Sequence, residues 1–212
     1  MDRAATSLPW LLVATPQLTD PNFRKAVVLV VEHDDNGTLG FIINRPSRTP
    51  LVELLTGVQA AVPAAVPAWY GGPAGKRQGI ILHAQDEAGH ALDETAPVAL
   101  SSSEEALSSL ARYAHWRLGA EGEAEVDTAA ALGSTGMAEG GSLLYPYRFL
   151  VGYAGWGPGQ LMDELHAGAW IQLPATTRLV FQTDWTTLWD AAMTGVGINP
   201  RTLAPSPHTY LN

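Results

Sequence analysis

The sequence predicts an α+β protein built on a mixed, largely antiparallel sheet with short flanking helices. Apolar, β-branched runs recur along the chain, separated by Gly, Pro and Asn. Asn36-Gly37, between two such runs, is the strongest kind of short-range hairpin signal. The amphipathic helical stretches are few and do not alternate regularly with the strands, which argues against a βαβ wind.

Taken in order, Trp10 to Ala14 reads as a first strand ended by Thr15-Pro16, and Asp20-Pro21-Asn22 as a turn. Ala26 to Val31 (AVVLVV) suits a strand covered on both faces. It runs through Glu32-His33 into the turn, and Leu39 to Ile43 returns as its partner. With Asn36-Gly37 as a two-residue turn, His33 faces Gly40 and Glu32 faces Phe41. Asn44-Arg45-Pro46 leaves the strand, because proline cannot donate to a ladder. Thr49 is placed as the N-cap, and Pro50 as the first residue, of a short helix ending near Gly57. The Ala/Val/Pro-dominated stretch 58–68 reads as a loosely packed surface connection.

Trp69-Tyr70 forms a short strand into Gly71-Gly72-Pro73, Gly79 to His83 a buried-type strand, and Val98 to Leu100 another. Ser102 and Glu105 make a capping box ahead of a helix with Leu107, Leu110, Ala111, Ala114 and Leu118 on one stripe. Residues 119–141, rich in Ala, Gly and Glu, receive no element and are expected to be partly mobile. Ala169 to Leu173 and Arg178 to Gln182 read as strands. Asp184 caps a helix with the stripe Trp185, Leu188, Trp189, Ala192 and Met193. The segment 199–212, with three prolines, reads as an extended strap. No repeat or linker divides residues 1–212, so one domain is expected.

Composition narrows the function. Hydrophobic residues are 46% and charged residues 16%, a globular balance, and the formal net charge is −9. That charge opposes non-specific contact with phosphate backbones or anionic lipid. The absence of cysteine removes disulfides, thiolate nucleophiles and cysteine-held metals. No apolar run approaches the roughly 20 residues of a membrane span, and the one near Trp10 is too short for a signal core. A cytoplasmic location is expected.

The stretch from Tyr147 to Gly168, an apolar β segment running through a Gly-rich turn into a short helix, is the richest candidate for chemistry. Gly155, Trp156, Gly157, Pro158, Gly159 and Gln160 make either an anion cradle at a helix start or a tight corner over a buried Trp156. The turn is neither G-x-G-x-x-G nor a P-loop, and Pro158 removes a donor. Glu32-His33 and Asn44-Arg45 offer acid, base and anion-binding types, but strand rise places Asn44 about 13 Å beyond the Glu32 pair. His83 ends a strand, where sites gather and where structural histidines also sit. The other histidines lack ligand spacing, so no metal is expected, and Asp163 and Glu164 read as a solvated helix face.

Four stretches together resemble the YqgE/AlgH family of bacterial proteins: LLVATPQLTDPNFRKAVVLVVEHDDNGTLGFIINRP, WYGGP with GIILH, RFLVGYAGWGPGQL with its acidic helix, and GAWIQLPA…LVF…LW. The resemblance covers most of the chain in order. One departure is Met162, where the family usually has Glu, with acids at Asp163 and Glu164 instead. What the resemblance implies is a bent, bifurcated sheet curling into a pseudo-barrel and no established activity, although some members are labelled transcriptional regulators. No cofactor is expected.

Three functional expectations follow. The first is a non-catalytic regulatory or interaction protein, acting through a protein partner or a small anionic ligand. The second is an enzyme binding a small molecule or nucleotide at the Gly155–Gln160 turn, with Glu32, His33, Asn44 and Arg45 around a cleft. The third is DNA binding, which the acidic charge makes the weakest of the three.

Overall fold

A computed structural model describes residues 9–55, 62–84, 95–96, 98–120, 136–137, 143–144 and 147–199. Its strands are β1 (Trp10–Ala14), β2 (Val27–Asp34), β3 (Gly37–Ile42), β4 (Pro46–Pro50), β5 (Pro67–Tyr70), β6 (Ala74–Ala84), β7 (Val98–Ser101), β8 (Gly136–Met137), β9 (Leu143–Leu144), β10 (Arg148–Trp156) and β11 (Trp170–Pro174). Helices α1 (Leu51–Leu54), α2 (Glu104–Ala120), α3 (Gln160–His166) and α4 (Leu188–Gly195) flank them, with a π-helical turn at Arg178–Gln182. The main sheet has the order β11-β1-β2-β3-β10-β5-β4, and β6 pairs with β10 and β7. Its pairings are antiparallel except β10 with β5, and β8–β9 form a separate ladder. The class is α+β, as the sequence predicts.

The sheet divides along β10. Ala154 to Trp156 pair with β3, while Arg148 to Val151 lie between β5 and β6. The division falls at Gly152, whose φ of 76° shifts the ladder and whose missing side chain admits the Gly72 and Ala74 carbonyls; a Cβ there would lie 2.5 and 2.6 Å from them.

Strand alternation feeds two cores from one sheet. Leu11, Val13, Val27 and Leu29 join Phe181, Leu188, Trp189 and Met193 on one side. Trp10, Leu12, Val28 and Val30 meet Trp156, Leu161 and Trp170 on the other. β1 and β2 are thus covered on both faces, the arrangement that an uninterrupted apolar run demands. A third cluster packs α2, through Leu107, Leu110, Ala111 and Ala114, against Leu51, Val62, Val66 and Ile81. Fully burying one leucine-sized side chain in such clusters stabilises the fold by roughly 1.5–3 kcal/mol.

Several local expectations are corrected. The hairpin turn is Asp35-Asn36, so His33 faces Thr38 and Glu32 faces Leu39, with a bulge before Val30 meets Gly40. Two forces set this register. The Asn36 backbone N–H donates to Asp34 Oδ1 at 2.7 Å, closing an Asx turn one residue early. Gly37 is needed as a strand residue because a Cβ there would lie 2.3 Å from the Trp156 carbonyl oxygen.

Further along, Thr49 lies in β4, and α1 begins only after Pro50. Within the stretch expected to be loose, Val62, Val66 and Ala68 are buried, and Leu51 N–H bonds the Val66 carbonyl at 2.8 Å. Ser103, not Ser102, caps α2 by accepting from Ala106 N–H at 3.1 Å. Arg178–Gln182 is a π-helical turn because an apolar run this short fits strand and helix alike, and Thr183 N–H closes it onto the Arg178 carbonyl. Asp184 makes an Asx turn with Thr186 N–H, and α4 starts four residues later. In 119–141, α2 extends to Ala120 and β8 holds 136–137; the rest, like 200–212 of the strap, lies outside the described residues.

Candidate functional site

The close approach at Gly37 seats the hairpin tip directly on the end of β10, where Thr38 pairs with Trp156. Between this tip, β6 and the start of α2 lies a cleft of about 700 Å³. Its polar lining is Glu32, Asp34, Asn36, Thr38, Gln78 and Ser102, and its apolar lining is Leu39, Phe41, Ile80, Tyr153 and Trp156. A volume of this order falls in the range of small-molecule sites.

The residues singled out from the sequence separate into distinct places. Glu32 and Trp156 reach the cleft. His33 points elsewhere: its Nδ1 lies 2.6 Å from Thr38 Oγ1, and its ring stands edge-on to Trp10 at 5.7 Å. Asn44 clamps the start of β2, accepting from Val27 N–H and donating to the Lys25 carbonyl, both at 2.9 Å. Arg45 donates to the carbonyls of Pro21, Asn22 and Arg24, tying down the turn before β2. His83 stacks on Tyr147 at 5.4 Å and lies 2.6 Å from the Ala84 carbonyl through Nδ1. Glu32 and Trp156 share the cleft, and His33, Asn44, Arg45 and His83 are not among its lining residues.

At the glycine turn, Gly157 N–H donates to Gln160 Oε1 at 3.1 Å, and Gln160 N–H returns to the Gly157 carbonyl at 3.1 Å. Pro158 has no N–H, so positions 157, 158 and 160 offer no spare donor to an anion. Gly159, with φ 74°, then enters α3, which is only seven residues long. Gly155 continues β10 opposite Leu39.

Sequence reasoning missed Glu164. Its Oε2 accepts from the indole N–H groups of Trp156 at 2.9 Å and Trp170 at 2.7 Å, and its Oε1 accepts from Gln160 Nε2 at 2.9 Å. It is a hub beneath the turn rather than part of a solvated face. The i, i+4 spacing of Gln160 and Glu164 on one helix was the available signal.

Electrostatically the cleft is acidic. The Asn36 backbone N–H, and then its side-chain amide, hold the Asp34 carboxyl below the ordinary carboxylate value. Glu32, Gln78 and Ser102 make no side-chain hydrogen bond to another described residue. Among the described lining residues there is no His, Lys or Arg, and no group of three potential metal ligands occurs among the described residues. The arrangement can hold a ligand by shape, apolar contact and acceptor groups; among the described lining residues no nucleophile is hydrogen-bonded to a base.

Comparison with known proteins places this fold. The family model described as AlgH-like matches residues 11–201. The chain belongs to the AlgH-like family. It is 33% identical to a UPF0301 protein of Myxococcus xanthus, over 92% of this chain and 93% of that one. It is 35% identical to a UPF0301 protein of Thermobifida fusca, over 93% and 91%. The solution structure of the AlgH protein from Pseudomonas aeruginosa superposes with a TM-score of 0.60 at 28% identity, covering 94% of each chain. The crystal structure of protein DIP2367 from Corynebacterium diphtheriae gives 0.60 at 21% identity, covering 98% and 92%, and shares the fold. The AlgH-like relatives carry names without a stated activity, and no helix among the described residues is long and apolar enough to cross a membrane.

Proposed function

We propose that this AlgH-like protein is a non-catalytic binding protein of the cytoplasm, whose cleft beside the hairpin tip receives a ligand, with any regulatory role following from its occupancy. The observation that carries the reading is a division of labour among polar groups. His33, Asn44, Arg45, Gln160 and Glu164 are committed to the fold's own atoms. Glu32, Gln78 and Ser102 line the cleft with side chains that make no hydrogen bond to another described residue, above an apolar floor. Uncommitted polar groups converging on an apolar concavity are what selective binding requires. That no nucleophile is hydrogen-bonded to a base among the described lining residues supports binding over turnover.

A thermal-shift screen of cell metabolites against the wild type and Gln78→Trp tests this. Gln78 is exposed at the cleft, so the variant folds and fills the space. A ligand at one hundred times its dissociation constant adds about 2.7 kcal/mol to wild-type stability. The expected result is a stabilising ligand whose effect Gln78→Trp removes; ligands that stabilise both proteins equally would overturn the assignment of the cleft.

A further inference from the structure

Resting on the reading of the cleft as the binding surface, we infer that its occupant is an organic cation: an amine or guanidinium carried on an apolar or aromatic body. The sign comes from the walls. Glu32 and Asp34 supply two carboxylates, and no described lining residue is basic. Lys76 and Arg77, exposed on the same strand as Gln78, are not among the groups that line it. A nucleotide or sugar phosphate would face these carboxylates without a countercharge, and the chain's net charge of −9 adds to the repulsion.

The body comes from the floor. Leu39, Phe41, Ile80 and Tyr153 give the cleft an apolar base that a bare metal ion or a simple polyamine would leave unused. A hard metal ion also needs six or more oxygen ligands, and no group of three candidate ligands occurs among the described residues. The Tyr153 ring lies against two glycines: a Cβ on Gly75 would be 2.5 Å from it and one on Gly155 3.4 Å. An aromatic ring lining the cleft offers a cation a π surface besides the carboxylates. Asn36, Gln78 and Ser102 complete the rim with groups able to accept from an ammonium.

The test uses three probes of one shape and different charge: phenethylamine, 2-phenylethanol and 3-phenylpropionate. Each is titrated into ¹⁵N-labelled protein, and amide shifts are followed at Thr38, Gly79, Ser102 and Gly152. The amine is expected to move these amides with a dissociation constant at least tenfold below that of the alcohol. Glu32→Gln, at an exposed position that leaves the fold intact, should erase most of that difference, and 0.3 M salt should reduce it. If the alcohol or the carboxylate moves the same amides equally well, the charge assignment fails while the cleft stands as a binding surface. If no probe moves them, or the amine shifts only amides elsewhere, both the cation assignment and the reading of the cleft fall.

Discussion

Removing the Glu164 carboxylate should unfold the corner beneath the glycine turn more readily than any exposed-surface change nearby. Trp156 and Trp170 are 5% and 3% exposed, and both indole N–H groups end on the same Glu164 oxygen. In Glu164→Ala neither donor has another acceptor supplied, and an unmet buried donor costs about 1–3 kcal/mol. Two donors give a loss of roughly 2–6 kcal/mol on that scale, and because Glu164 is only partly buried, about 2–4 kcal/mol is expected. For a chain of this size that lowers Tm by roughly 4–16 °C.

Glu164→Gln keeps an acceptor for the indoles but loses the charge assistance, and it faces Gln160 Nε2 with a second amide. Gln160 can flip to accept, at the cost of its bond from Gly157 N–H. About 1 kcal/mol is expected for this variant. Urea unfolding followed by tryptophan fluorescence and by far-UV circular dichroism measures both. An alanine variant within about 0.5 kcal/mol of wild type, the range of ordinary surface changes, would refute the hub.

Gly37→Ala should cost more than 1 kcal/mol because its Cβ meets the Trp156 carbonyl, whereas Gly157→Val, whose Cβ meets only Gln160 Oε1 at 3.9 Å, should stay within about 0.5 kcal/mol; urea midpoints compare them. The Asp34 carboxyl is held low by the Asn36 N–H bonds, so its contribution is complete above the unfolded pKa and is lost as pH falls through the folded one; a carbon-detected NMR titration should find its midpoint below that of an unstructured peptide, and Asn36→Pro should raise it. Arg148 is fully buried, with one bond from Nη1 to the Val180 carbonyl at 2.8 Å, and burial depresses its pKa to about 10. Below that pH the buried charge opposes folding, and wild-type stability gains from deprotonation only as pH climbs through the folded value. At pH 7, Arg148→Met should therefore match or exceed wild-type stability, while Arg148→Ala, which leaves a void against Trp69, should lose about 2–5 kcal/mol in the same unfolding assay.

Much of the fold was legible because the strongest signals are local. The AVVLVV run announced a strand covered on both faces, and the chain places alternate residues of it in two cores. The Leu107, Leu110, Ala111, Ala114 stripe announced the buried face of α2. What escaped depended on partners distant in sequence. The hairpin register turned on the Trp156 carbonyl, more than a hundred residues from Gly37. The glycine that divides the sheet is Gly152, which local spacing cannot distinguish from Gly155 or Gly157; only the arrival of Gly72 and Ala74 does. The cleft escaped for the same reason, since its walls come from the hairpin, β6, β10 and the entry to α2. Of the candidate site residues, Glu32 and Trp156 reach that cleft, while Asn44 and Arg45, plausible by type, spend their hydrogen bonds on backbone.

The pairing of β1 with β11 has a consequence for how the chain is made. Leu11 and Leu12 meet Leu173 and Gln172 across the ladder, and Trp189 Nε1 closes on the Ala14 carbonyl at 2.8 Å across 175 positions. β2 and β3 can zip onto one side of β1 soon after they leave the ribosome. The other side waits for roughly 130 further residues after β3, about 6–26 s at ordinary elongation rates. During that interval WLLVA, every residue of it buried in the finished protein, presents a bare apolar edge to the cell. The nascent chain therefore has a window in which holding chaperones compete with aggregation. Codon-level changes that lengthen translation between β3 and β11 should lower soluble yield without altering a single contact in the folded molecule.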